Sequence, residues 1–188
     1  MKVLVAAVIS EGLLVVGALL ILLLTESTLT WNFSLRTAIQ GSLLTIPPLI
    51  MNALLWRYSQ SHPYSVYARF SNEIIVPLCR HMKIMTTLIV AALSGICEEL
   101  FFRGALNYLC CEHLGVIAAC VVTSVLFALI HFIGNFKRYG AMIPIYVIVG
   151  VYLWCVHYGT QSLYAVAITH GLYNFIVITL VRIKAVRI

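Results

Sequence analysis

Six apolar runs, each near the length a helix needs to cross a bilayer, fill most of this 188-residue chain. They fall at roughly 3–24, 36–56, 84–109, 115–133, 141–158 and 162–181. A spanning helix takes about 20 apolar residues, because away from water every backbone N–H and C=O must be satisfied within the segment. Composition agrees: 62% of residues are hydrophobic and 10% charged, with a mean hydropathy of +1.02. Lipid is therefore the expected solvent, and the expected fold class is an all-α membrane protein of about six transmembrane helices. The first run follows Lys2 as in a signal peptide. It exceeds the about 7–15 residues of a signal h-region, however, and no small-residue cleavage site follows, so it reads as a retained helix. Pro47 and Pro48 should kink or break the second run, whereas Pro144 stands at the start of the fifth, where a helix tolerates it. Residues 57–83 form the one long polar stretch and read as a loop or an interfacial helix.

The net charge of +6 would suggest nucleic acid for a soluble protein. Here the cations lie in short connections, where they set topology instead, and no nucleic-acid partner is expected. Ten of twelve lysines and arginines fall on one side of a six-helix arrangement; Arg36 lies on the other and Arg103 inside a span. The positive-inside rule then predicts a multi-pass plasma-membrane protein with both termini in the cytoplasm. The six cysteines (Cys79, Cys97, Cys110, Cys111, Cys120 and Cys155) show no CxxC pair or Cys/His cluster of zinc-site spacing. Most sit in apolar runs, where cysteine packs as a small hydrophobe.

Chemistry is concentrated in three of the runs. The third reads AALSGICEELFFRGAL and holds Glu98, Glu99 and Arg103 in an apolar helix. A charge at the bilayer centre costs about 2.5–3.5 kcal/mol on insertion scales, so such residues face the bundle interior and pair there. Neighbouring helical positions point about 100° apart, so Glu98 and Glu99 diverge. Glu99 and Arg103, at i and i+4, can pair with each other, which leaves Glu98 free. An architectural Glu–Arg pair would account for those two residues but not for Glu98. Ala91, Ser94 and Gly95 lie on the Glu98 face, and small residues admit close helix approach. The fourth run carries His131 one turn after Phe127, and the sixth carries His170 and Asn174 on one face. Any one of these could be a hydrogen-bonded packing residue. A carboxylate, two imidazoles and an amide together supply a general base for water and donors for an oxyanion. One difficulty attends this assembly. Glu98 lies near mid-span and His131 near the end of its helix, so the helices must be staggered or tilted for the two to meet.

Other membrane-protease chemistries are excluded. The chain has no aspartate, so neither a paired-aspartate site nor a Ser-His-Asp triad can form, and it has no HExxH or GxSxG motif.

The run Glu98-Glu99-Leu100-Phe101-Phe102-Arg103-Gly104 resembles the EExxFRG motif of the CPBP family, the CAAX proteases and bacteriocin-processing enzymes. Phe127 to His131 resembles its FxxxH motif, and His170 to Asn174 its HxxxN motif. Gly159-Thr160-Gln161-Ser162-Leu163 is similar to the turn before that family's last core helix. The resemblance implies a four-helix catalytic core over 84–181, preceded by two further helices and a cytoplasmic loop in 1–83 and followed by a basic tail at 182–188. It implies an intramembrane endopeptidase acting on a membrane-associated peptide or protein tail, in CAAX-type processing or in bacteriocin or signal-peptide maturation. Glu98 would be the general base, with His131 holding the water. His170 and Asn174 would stabilise the oxyanion, and Glu99 and Arg103 would brace the motif. The family includes both glutamate-dependent and metal-dependent descriptions, so the cofactor is either none or zinc, with Glu98, His131 and His170 as candidate ligands. Two other readings compete: a non-catalytic immunity or regulatory protein that binds a peptide, and a small proton-coupled transporter. The full set of six polar residues favours the enzyme, and the lack of internal repeats disfavours the transporter.

Overall fold

The computed structural model describes residues 2–26 and 29–186. Those residues form helices and turns, without a strand among them. Among the described residues five helices are long and apolar enough to cross a membrane: Val3–Thr25, Leu35–Ser61, Ile84–Leu114, Phe136–Thr160 and Leu163–Ile183. The remaining expected run forms a shorter apolar helix, Val116–Ile130. The protein is thus an all-α membrane protein, with one of its six apolar helices shorter than expected.

Helix α1 (Lys2–Thr25) precedes a connection that leads to α2 (Leu35–Leu43). The second apolar run breaks at Leu44 and Thr45, and α3 (Ile46–Ser61) restarts with proline in its first turn. That is where a missing N–H does no harm. The polar stretch is mostly helical: α4 (Val66–Phe70), a π-helical segment at Ser71–Ile75, and α5 (Val76–Arg80). Tyr67 donates to Asn52 at 3.2 Å, tying this segment back to α3.

The third run begins as α6 (Ile84–Leu93), passes through π-helical segments at Ser94–Glu98 and Leu100–Leu106, and ends as α7 (Asn107–Leu114). Gly115, at φ 81°, turns the chain directly into α8 (Val116–Ile130). A side chain there would be strained, and glycine carries none. This turn resolves the stagger. Glu98 lies 17 residues before Gly115 and His131 lies 16 after it. Two antiparallel helices rising about 1.5 Å per residue bring residues equidistant from their turn to one level. The expected boundary at 109 hid this, because the helix continues through Cys110, Cys111, Glu112 and His113.

After α8 the chain turns through α9 (Phe136–Tyr139) and a short 3₁₀ segment into α10 (Ile143–Thr160), which opens with Pro144 in its first turn. Gln161, in the left-handed region at φ 51°, ends α10. Ser162 then starts α11 (Leu163–Val186) by accepting from Ala165 N at 3.2 Å, while its hydroxyl donates to Trp31 O at 2.7 Å. Leu163 N and Tyr164 N donate to Thr30 O and Trp31 O, so the connection after α1 is pinned to the start of α11.

Helix α11 is the centre of the bundle. On one side Thr169 donates to Gly41 O of α2 at 2.9 Å. On another, Gly95 lies so close that an added Cβ would stand 2.7 Å from Ala167 O and from Gly171 N. No other residue permits that approach, and it sets the two glutamates of the third run beside His170 and Asn174.

Candidate active site

Two adjacent glutamates begin the site, and the π-helical segments that flank them decide where each points. A π-helical turn adds a residue to the repeat and re-phases the side chains that follow, a device common at functional sites. Glu99 turns into the protein and is fully buried. Its carboxylate meets Arg103, with Nη1 3.3 Å from Oε1 and Nε 3.3 Å from Oε2. Arg103 is 1% exposed, donates from Nη2 to Gly150 O at 2.9 Å, and lies 4.5 Å from the centre of the Phe127 ring. Glu99 Oε1 also takes a 2.7 Å hydrogen bond from His170 Nδ1. One carboxylate thereby joins the third run to α11, and its arginine joins the third run to α10.

Glu98 turns the other way, into a cavity of about 390 Å³. Its Oε2 is buried, has no hydrogen-bond partner among the described residues, and stands 3.7 Å from His131 Nε2. That distance exceeds a hydrogen bond. His131 Nδ1 lies 2.7 Å from Phe127 O. A carbonyl can only accept, so Nδ1 carries a proton, and Nε2 is an acceptor whenever the ring is neutral. The His131 side chain is 27% exposed and rests against the Tyr146 ring at 4.9 Å.

His170 and Asn174 line the same cavity. With Nδ1–H given to Glu99, any proton His170 offers an occupant must come from Nε2. Asn174 Nδ2 donates to Ser94 Oγ at 2.8 Å, and Ser94 donates to Ala91 O at 3.2 Å, which fixes the amide against the third run. The structure therefore brings Glu98, His131, His170 and Asn174 to one cavity. It sets Glu99 and Arg103 behind them as a buried support, in the pairing expected from their spacing.

Zinc requires three or four donors turned to one point. Glu98 and His131 face each other, and His170, its Nδ1 held by Glu99, keeps Nε2 for an occupant. Among the described residues no three His, Cys, Asp or Glu side chains gather into a group that could hold a metal ion.

Two cavity residues escaped the sequence reading. Tyr146 of α10 packs between His131, tilted against it, and Phe132, edge-on to it, and nothing in an isolated tyrosine announces that role. Glu11 of α1 lines the cavity too. A carboxylate inside an apolar run was a legible signal for it.

In comparison with known proteins, the family model described as Type II CAAX prenyl endopeptidase Rce1-like matches residues 80–176. No curated protein and no solved structure matches.

Proposed function

Since the chain belongs to the family of Rce1-like type II CAAX prenyl endopeptidases, we propose that it is an intramembrane endopeptidase whose water is activated by Glu98 and His131. The observation that carries this reading is the pair of facing acceptors, Glu98 Oε2 and His131 Nε2, 3.7 Å apart at the cavity wall. With the His131 ring neutral, the two are acceptors that cannot bond each other, and they suit the two protons of one shared water. Glu98 takes one proton as the water oxygen attacks the substrate carbonyl carbon. The oxyanion that forms lies toward His170 and Asn174, which line the same cavity: the Asn174 amide has a second N–H to give, and His170 donates from Nε2 as an imidazolium, its Nδ1–H being held by Glu99. Glu98 then returns its proton to the leaving amine as the C–N bond breaks. No step runs through a metal, and a chelator should leave turnover unchanged. The substrate is a membrane-associated peptide or protein tail, the processing is of CAAX type, and both termini lie in the cytoplasm of a plasma-membrane enzyme.

The test is Glu98→Gln in purified protein. The amide keeps the shape and loses the basic oxygen. General acid–base catalysis contributes about 10²–10⁴-fold, so turnover of a prenylated peptide should fall by at least about 100-fold while the protein still inserts and folds. Wild-type rates from this variant would remove Glu98 from the mechanism.

A further inference from the structure

Helix α1 lies outside the residues matched to the family, yet it contributes a carboxylate to the cavity. Of its described residues only Glu11 and Ala18 are buried, seven positions apart and so on one face. Leu13, Leu23 and Leu24 of the same helix are exposed. A helix in lipid turns its charge inward and its leucines outward, so this orientation is the one the solvent demands. Packing alone does not require an acid there, since Ala18 fills the equivalent place two turns later.

Glu11 is 9% exposed, and its Oε2 is buried with no hydrogen-bond partner among the described residues. It is close enough to Glu98 and His170 to interact with both electrostatically. A buried carboxylate oxygen without a partner is costly to keep. No described residue hydrogen-bonds this oxygen, and the cavity that Glu11 lines leaves room for a partner that enters it. The sign of that occupant follows from the walls. Among the described lining residues there are two glutamates and neither lysine nor arginine. The nearby Arg103 guanidinium is taken up by Glu99, Gly150 O and the Phe127 ring.

We propose that Glu11 is a specificity-determining residue that binds a cationic side chain of the substrate, a lysine or an arginine, beside the scissile bond. The aliphatic stem of such a side chain suits the apolar walls, while its charged head meets the carboxylate. This rests on the peptidase reading of the cavity.

The test measures binding rather than turnover. The full chain in lipid nanodiscs carries Glu98→Gln, so that Glu11 is the carboxylate left at the cavity wall. The probes are farnesylated peptides with lysine moved through successive positions near the C-terminus, each with a norleucine twin. At one position lysine should bind about tenfold more tightly than norleucine, the scale of a charge-assisted hydrogen bond. Adding Glu11→Gln should bring that ratio close to one, and Glu11→Asp should keep it above one. Should Glu11→Gln fail to accumulate, an acetyl-lysine twin on the Glu98→Gln protein decides the matter: equal affinities overturn the proposal. No lysine preference at any position, or a preference that survives Glu11→Gln, also overturns it. Failure of the peptidase reading would show separately, as undiminished turnover by Glu98→Gln.

Discussion

Arg103 meets several demands at once: it neutralises Glu99, satisfies Gly150 O and covers the Phe127 ring. Removing it leaves a fully buried carboxylate whose remaining partner among the described residues is His170. Breaking a buried pair in this way costs about 3–5 kcal/mol, so Arg103→Ala should lower both thermal stability in detergent and the amount of folded protein in the membrane. Arg103→Lys should recover only part of the loss, because one ammonium cannot reproduce the planar fork that reaches Glu99 and Gly150 together. If Arg103→Ala accumulates and melts like the wild type, the bracing role is wrong. At this scale the sequence was informative for a physical reason. Glu98, Glu99, Arg103, His131, His170 and Asn174 stand out because a polar group in an apolar run must have a partner. Tyr146 did not stand out, because an amphipathic ring is at home in lipid, interface or core alike.

Elements place those residues, and one close contact does much of the placing. Gly95 has no room for a Cβ, with Ala167 O and Gly171 N at 2.7 Å from where it would be. Gly95→Val should force the third run away from α11 and pull Glu98 and Glu99 from His170. Overpacking costs about 1–3 kcal/mol, so melting temperature and turnover should fall together. Gly159, with open space around its Cβ direction, is the control: Gly159→Ala should change neither. A Gly95→Val protein with normal melting and turnover would show that the approach of these helices is not what builds the site. Gly95 was legible as a small residue on the Glu98 face. The π-helical segments and the true end of α7 were not. Apolarity marks where lipid ends, whereas the helix itself continues through Glu112 and His113.

Across the whole molecule, the polar segment before the third run and the turn after α8 close one end of the bundle together. Phe70 packs on Phe132, Tyr139 and Tyr146, and Glu73 pairs with Arg138 at 2.6 Å while accepting from the Tyr139 hydroxyl. Phe70, Ser71 and Cys79 of that segment line the cavity, so its seating bears on access. The Tyr139 hydroxyl, helped by Arg138, holds the Glu73 carboxyl below its ordinary 4.5. The sign follows: a lowered folded-state value means the contact is fully present above about 4.5 and is lost as pH falls through the lower value. Hydrogen exchange in residues 66–80 should therefore be raised at neutral pH by Glu73→Gln. The wild type should show the same opening only in acid below the usual glutamate range. Equal exchange in the two proteins at neutral pH would assign the closure to the aromatic contacts alone. The Gly115 turn has a consequence of its own at this scale. Glu98 and His131 hang from one hairpin at equal reach, like two marks on a folded ruler. A thicker or thinner bilayer tilts such a hairpin as a unit, and mismatch is commonly absorbed by tilt. Base and imidazole thus keep their spacing while the hairpin leans, and a change of host lipid should alter how deeply the site sits more than how it is assembled.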